Sequence, residues 1–388
     1  MPGTIRKRYA GSWTVIADLG RDPDTGKRRQ LWRSVKGTKR DAERLLVELL
    51  HERDSGVERP TGRQTVGHYL ERWLDDYVAV SVAPSTASHY QRIVRRVLIP
   101  ALGGVELTAL RPQQIQAFYS RLLRDGRADG SGGLSARTVL RYHQVLHAAL
   151  HHAVRWQLLA RNPADAVQPP RAARRELTTI GAADVSHLLA AADETPIGSL
   201  ARMAVMTGMR RGELLGLRWQ DVDLDAGMAH VQQTAQRIAG QGWVFRQPKT
   251  RLSRRAIALS PATVRLLRRH RREQLAGRLL AGSAYQDRDL VFASGLGTPL
   301  EPGTIARTWR RVLESADVGH IRWHDLRHAH ATLMLSAGVH PKVVSERLGH
   351  ASIAITLDTY SHVLPGLQVA AAAQLDTLLD EPAQAEAI

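Results

Sequence analysis

The chain has no cysteine. Disulfides, thiolate nucleophiles and cysteine-held zinc are therefore excluded. Aromatics are scarce, 5% of 388 residues with only three phenylalanines, so a tyrosine far from the main apolar stripes raises a chemical question. No run of about 18 apolar residues is present, so no membrane span is expected. The amino-terminal MPGTIRKRYAGSW lacks the apolar stretch of a signal peptide, and the expectation is a soluble protein of the cell interior. No glycine-rich loop follows a strand in the pattern that cradles nucleotide phosphates. Acidic residues are outnumbered: 37 Asp and Glu face 54 Lys and Arg, a formal charge of +17. That excess costs self-repulsion and favours a polyanionic partner, nucleic acid before an anionic membrane surface.

What is present falls into sections. At 43% hydrophobic, the chain can build cores in two or three domains. Residues 1–60 read as a small sheet plus one helix. SWTVIADLG and RRQLWRSV carry the β-branched and aromatic residues of strands. RDPDTGKR between them is a turn, and IRKRY is a short first strand. Thr38 caps a helix with Asp41 at its third position. Residues 1–40 hold 11 Lys or Arg and three Asp. A basic sheet of this kind fits the major groove of DNA, with Arg6, Lys7, Arg8, Arg28, Arg33 and Lys36 as candidate contacts. SGVERPTGRQ is a linker by composition.

Residues 64–165 read as an all-helical domain. Val66, Tyr69, Leu70, Trp73 and Leu74 form one stripe; Val139, Leu146, Leu150 and Val154 form another. Arg92, Arg96 and Arg137 are its candidate DNA contacts. His143, His147 and His151 recur at i, i+4, i+8, but nothing beside them completes a metal site, and a polar helix flank is the better reading. The second linker, NPADAVQPPRAARREL, offers Arg174 and Arg175 to a phosphate backbone. From residue 175 to about 370, helices alternate with a strand-rich stretch, AHVQQTAQRIAGQGWVFRQPKTRLSRRAIAL. Residues 371–388 carry four acids and no base, a tail suited to protein rather than DNA.

Chemistry on a phosphodiester needs a nucleophile, an acid for the leaving oxygen and cations for the non-bridging oxygens. No acidic cluster is available to hold metals. Single carboxylates such as Glu213 and Asp325 sit beside arginines, which suggests that they hold arginines in place. TGMRRGELLGLRW offers Arg210, QPKTRLSRR offers Lys249, and HDLRHAHAT offers His324 and Arg327, one helical turn apart. ERLGH offers His350, and TLDTYSH offers Tyr360. Each is weak alone.

In this order they resemble the tyrosine recombinase, or phage integrase, family. The TG-x-R box matches Thr207 to Trp219, the Lys-Thr pair Lys249–Thr250, the H-x-L-R-H-x-x-A-T box His324 to Thr332, and L-G-H Leu348 to His350. The tyrosine motif matches Thr356, Tyr360 and His362. Ala351 departs from the pattern, which usually has serine there. The match is specific over 175–365. Over 64–165 and 1–60 it is one of layout, to the helical (SAM-like) core-binding and the arm-binding domains.

The resemblance implies a multidomain fold: a small β-sheet plus helix N-terminal domain, an all-helical core-binding domain and a mostly helical α+β catalytic domain. It implies a site-specific recombinase that integrates and excises a mobile element through a 3′-phosphotyrosyl link. Tyr360 would attack, Arg210 and Arg327 would clamp the phosphate, Lys249 would protonate the 5′-oxygen, His324 would accept or orient the tyrosine proton, and His350 would bond the phosphate. No cofactor and no metal are implied. The implied partners are double-stranded DNA at core and arm attachment sites and three further copies in a synaptic tetramer, with a directionality factor and a host DNA-bending protein as accessories. The implied setting is the cytoplasm of a bacterium, with the gene carried by bacterium or phage. A type IB topoisomerase-like enzyme that nicks and reseals without exchange shares the same residues and is the alternative. Ile353, Ile355 and Leu357 are expected to anchor the helix bearing Tyr360.

Overall fold

The computed structural model describes residues 3–21, 28–54, 64–173, 180–238, 240–248 and 253–360, and beyond them only 372–373, 375–376 and 379. It divides into two units, residues 1–174 and 175–388.

The first unit opens with three antiparallel strands in chain order, β1 (Gly3–Tyr9), β2 (Ser12–Arg21) and β3 (Arg28–Lys36). Helix α1 (Lys39–Asp54) covers one face. Its Ala42 and Leu49 pack on Val15 and Ala17, with Ile5, Trp13 and Leu31 around them. The Thr38 hydroxyl and amide both donate to Asp41 Oδ2, and the Asp41 amide donates back to Thr38 Oγ1. That is the reciprocal cap expected from the sequence. The turn expected at residues 22–27 lies outside the described residues. Directly paired residues share a face. Lys7 is opposite Trp13 and Arg33 opposite Val15, so both stand on the side of α1. Arg6, opposite Thr14, and Lys36, opposite Ser12, stand on the open side with the exposed Trp32. The candidate contacts of this sheet therefore split between two faces.

The helical part of this unit starts with α2 (Val66–Trp73), which runs through a π turn (Leu74–Val78) into α3 (Ala79–Ser81). In the same way α4 (Pro84–Ile93) runs through Val94–Leu98 into α5 (Ile99–Leu102). Then come α6 (Pro112–Asp125) and α7 (Ala136–Arg155). The stripe Val66, Tyr69, Leu70, Trp73 and Leu74 is fully buried, as are Val139, Leu146 and Leu150. Val154 is only half-buried, and Ala153 takes its place in the core. His143 bonds the Tyr119 hydroxyl and His147 bonds Asp165. No group of three metal-ligating side chains occurs among the described residues.

Among its described residues, the second unit carries α8 (Ala182–Asp193), α9 (Gly198–Thr207) and α10 (Arg211–Gly216), then a run of short strands, then further helices. β5 (Met228–Val231) pairs with β4 (Val222–Asp223) and β8 (Arg255–Ala258), while β6 (Thr234–Ile238) pairs with β7 (Gly242–Arg246). Lys249 follows β7, so the two strands flanking it belong to different sheets; Lys249 itself lies outside the described residues. The helices are α11 (Pro261–Ala281), α12 (Pro302–Ser315), α13 (Asp325–Ser336), α14 (Pro341–Leu348) and α15 (Ile353–Tyr360). One core joins α8, α9, α10, β5, β8, α12 and the start of α13. A smaller cluster, made by Ala331, Leu335, Val344, Leu348 and Tyr360, joins α13, α14 and α15. No helix among the described residues is long and apolar enough to cross a membrane.

Candidate active site

Two glycines turn chain ends into this site. Gly208 ends α9 and Gly349 ends α14, both left-handed, at φ 65° and 66°. A left-handed residue after a helix is a common stop and favours glycine. At Gly208 a Cβ would stand 2.6 Å from His330 and 2.7 Å from Leu348, so no other residue fits without movement. Both stops leave helix carbonyls without intrahelical partners, at the negative end of each helix dipole.

Arg327 uses those carbonyls. It stands in the first turn of α13 and is 4% exposed. Its Nη1 donates to Gly208 O and its Nη2 to Leu348 O, each at 2.7 Å. Among the described residues no carboxylate pairs with it directly. Burial, and then Arg210, push its pKa down to about 9. A buried cation with this surrounding is poised for an anion.

Arg210 immediately precedes α10. Its Nη1 donates to Glu213 Oε1 at 2.8 Å and its amide to Glu213 Oε2 at 2.9 Å. Its Nη2 reaches toward Gly349 O at 3.4 Å. Glu213 is buried and also accepts from Arg255, whose Nη2 lies 2.8 Å from Oε2. Burial alone would raise the Glu213 pKa; Arg255, then Arg210, hold it below the usual carboxylate range. Arg255 donates in addition to Arg347 O, just before the end of α14. Glu213 thus fixes two arginines, as its place beside Arg210 suggested. Asp325 does the same for Arg322. Arg210 and Arg255 share the Glu213 carboxylate, and Arg327 stands beside them on backbone carbonyls. A cleft of about 700 Å³, lined in part by Arg254, Arg255, Gly349 and His350, opens beside them.

His350 follows Gly349 directly, and its Nδ1 lies 2.8 Å from the Thr356 hydroxyl. Burial, then Arg327 and Arg210, bring its pKa to about 4. The ring is therefore neutral near pH 7. A Thr356 hydroxyl that donates to Nδ1 leaves the ring proton on Nε2, and one that accepts leaves it on Nδ1. His324 immediately precedes α13; partial desolvation and then Arg327 lower its pKa, although the residue is exposed as a whole.

Tyr360 is the last residue of α15 and is 2% exposed. Its ring fills the small cluster between α13 and α14. Its hydroxyl is 2.7 Å from His328 Nδ1. Burial raises its pKa to about 12. The packing on α15 differs from the expectation. Ile353, Ile355 and Leu357 are 36%, 43% and 39% exposed, while Thr356 and Tyr360 are buried. The polar pair faces inward because His350 and His328 offer it partners, and the apolar residues are left on the outer face.

The second unit therefore brings together Arg210, His324, Arg327, His350 and Tyr360. Arg255 escapes the sequence reading, and His328 and Thr356 stand in the quoted motifs without a role of their own. His328 was visible as the residue after Arg327, four beyond His324 and so on its helix face. Arg255 had no comparable signal, since only tertiary packing brings it to Glu213. Of the candidate DNA contacts, Arg6, Lys7, Arg8, Arg33, Lys36, Arg92, Arg96 and Arg137 are exposed. Arg92 bonds His89, and Arg137 donates to Ala173 O. The side chain of Arg28, and the whole of Arg174 and Arg175, lie outside the described residues.

Residues 179–366 match the phage integrase family and residues 65–123 the phage integrase N-terminal SAM-like domain. A protein named tyrosine recombinase XerC-like, from Caldanaerobacter subterraneus subsp. tengcongensis, is 28% identical over 386 residues, covering 94% of this chain and 96% of that one. Among solved structures, the Tn1549 transposon integrase in complex with a circular intermediate DNA superposes with a TM-score of 0.66 at 19% identity, covering 80% of this chain and 99% of the other. A lambda integrase from a tetramer bound to a Holliday junction gives a TM-score of 0.57 at 20% identity, over 92% and 95% of the two chains.

Proposed function

The chain belongs to the phage integrase family of tyrosine recombinases, and on that premise we propose that Tyr360 is the nucleophile with which it cuts and rejoins DNA. The family activity is site-specific recombination of mobile elements. In the proposed reaction Tyr360 Oη attacks the scissile phosphorus, forming a 3′-phosphotyrosyl link and freeing a 5′-hydroxyl. Another strand's 5′-hydroxyl then reverses the step, so bond energy is conserved and no nucleotide is consumed.

Arg210 and Arg327 bind the non-bridging oxygens, on which the transition state gathers charge. The observation that carries this reading is Arg327, buried on two helix-end carbonyls in the same site as the hydroxyl of Tyr360. His350, with its proton on Nε2, donates to the phosphate, and His324 flanks it. Lys249 serves as the acid for the 5′-oxygen. Losing one charged contact of this kind costs roughly 10²-fold in rate.

Tyr360 must meet phosphorus in line, and its seat in the small cluster covers it almost fully. Among the described residues of α15, Thr356 and Tyr360 are the buried side chains. The step that exposes the nucleophile uncovers the Tyr360 ring while its hydroxyl keeps the His328 contact. The open sheet face with Arg6 and Lys36, the exposed Arg92, Arg96 and Arg137, and the linker arginines bind the DNA backbone. The active assembly is a tetramer on two duplexes, joined by a directionality factor and a host DNA-bending protein, acting on the chromosome inside a bacterial cell.

The test is covalent capture on a labelled, nicked attachment-site duplex, read by denaturing electrophoresis. Tyr360→Phe is expected to abolish the adduct and leave gel-shift affinity nearly unchanged. An adduct that persists in this variant rejects Tyr360 as nucleophile.

A further inference from the structure

We propose that His328 seats the nucleophile: its Nδ1 accepts the hydrogen bond of the Tyr360 hydroxyl, aims the phenolic oxygen and takes its proton as that oxygen bonds to phosphorus. The inference rests on the reading of Tyr360 as nucleophile.

Geometry supplies the first argument. The 2.7 Å contact is direct, and the two rings lie 5.7 Å apart at 54°. Arg327 and His328 are neighbours on the first turns of α13. One turns inward to the two helix ends, and the other turns to α15, so a single helix sets both the phosphate clamp and the phenol. Two other histidines near the site have their Nδ1 atoms engaged elsewhere. His350 Nδ1 is held by Thr356, and His330 Nδ1 by Val205 O. His324 meets the His328 ring edge-on at 5.4 Å.

Protonation is the second argument. A phenol can donate to Nδ1 only if that atom is bare, which puts the His328 proton on Nε2. The groups that act on the ring are His324, Asp325, Arg327 and Arg322 on its own side, Tyr360 from α15, and His350 from the turn before α15. Burial, then His324, bring His328 to about 4, so the ring is neutral and accepting at pH 7. Asp325 opposes that shift and favours the imidazolium once it forms. At rest the proton stays on the phenol. In the reaction the Oη–H bond breaks with its proton passing to Nδ1, the Oη–P bond forms, the P–O5′ bond breaks, and the 5′-oxygen takes a proton from Lys249. Rejoining returns the His328 proton to the phenol.

The experiment measures adduct formation by the full chain on its nicked attachment-site duplex, with an ordinary and with a 5′-bridging phosphorothiolate scissile bond. A sulfur leaving group needs no acid, so it restores Lys249→Ala. It is not expected to restore His328→Leu, which should be slowed by about 10²-fold or more on both substrates. His328→Asn places Oδ1 where Nδ1 was. It should recover part of the rate by orientation, but without a base its rate should climb steeply, approaching about tenfold per unit, from pH 7 to 9, where the wild type is flatter. The proposal is overturned if both variants bind DNA normally and react within about threefold of wild type. Rescue of His328→Leu by sulfur also overturns it, since that places His328 on the leaving-group side. Should His328→Leu fail to fold, His328→Asn decides: a slow, steeply pH-dependent reaction supports the proposal, and a wild-type profile rejects it. If the wild type itself forms no Tyr360 adduct, the nucleophile reading falls instead, and the two failures are distinct.

Discussion

Glu213→Gln removes one charge from the centre of the site and almost no volume. The carboxylate is 2% exposed and accepts from the Arg210 amide, the Arg210 side chain and Arg255. The side chain of Arg255 is itself only 6% exposed, so it cannot recover its loss from water. Removing one partner of such a buried pair costs about 3–5 kcal/mol, mostly through the charge left unpaired. For a unit of this size each kcal/mol shifts the midpoint by about 2–4 °C, which predicts a fall of roughly 6–20 °C in thermal unfolding. The pH dependence follows from sign. The pKa of Glu213 is lowered in the folded state, so its contribution is present above the unfolded carboxylate pKa and is lost as pH falls through the folded value. The gap between wild type and variant should therefore be constant from about pH 5 to 8 and shrink only at more acidic pH. Calorimetry at several pH values measures it. A midpoint within about 2 °C of wild type at pH 7 refutes the claim that one carboxylate holds two arginines.

The remaining predictions concern the second helix end and the fastening of α15. Gly349→Ala forces a Cβ onto a residue at φ 66°, 3.0 Å from Arg255 Nη1; urea unfolding should report a loss of about 1–3 kcal/mol, with weaker phosphate-analogue binding as Gly349 O and Arg255 move. Ile355→Ser, on the outer face of α15, should change stability by less than about 0.5 kcal/mol in the same assay. Leu348→Ala, fully buried beneath Tyr360, should cost about 2–5 kcal/mol. The reverse order of the last two would reinstate the isoleucines as anchors.

Much of the architecture was legible because it depends on local rules. The Thr38–Asp41 cap, the strands of the small sheet, the stripe from Val66 to Leu74 and the strand-rich stretch after Ala229 are all set by neighbours a few residues apart. The role of Glu213 was legible too, because Arg210 is three residues away. The inner face of α15 was misread. Ile353, Ile355 and Leu357 are the apolar residues of the segment, and hydrophobicity alone assigns them to the core. Thr356 and Tyr360 displaced them because each finds a histidine, His350 or His328, on another element, and a satisfied polar group can be buried at little cost. On α7 it is Ala153, three residues past Leu150, that continues the buried face, and Val154 falls beside it.

The sequence alone determined the chemistry on offer: a basic chain without thiols or nucleotide loops, and an ordered set of arginine, lysine, histidine and tyrosine in boxes short enough to read. Those are properties of residue identity and near spacing. Tertiary structure alone decided which of them meet. Arg255 is 42 residues from Glu213, and Arg327 is 119 from the Gly208 carbonyl it holds. Tyr360 is 32 residues from His328. Hydrogen bonds of this reach form only after the helix ends have converged, because their geometry depends on where α9, α13 and α14 stop in space and not on any pattern along the chain.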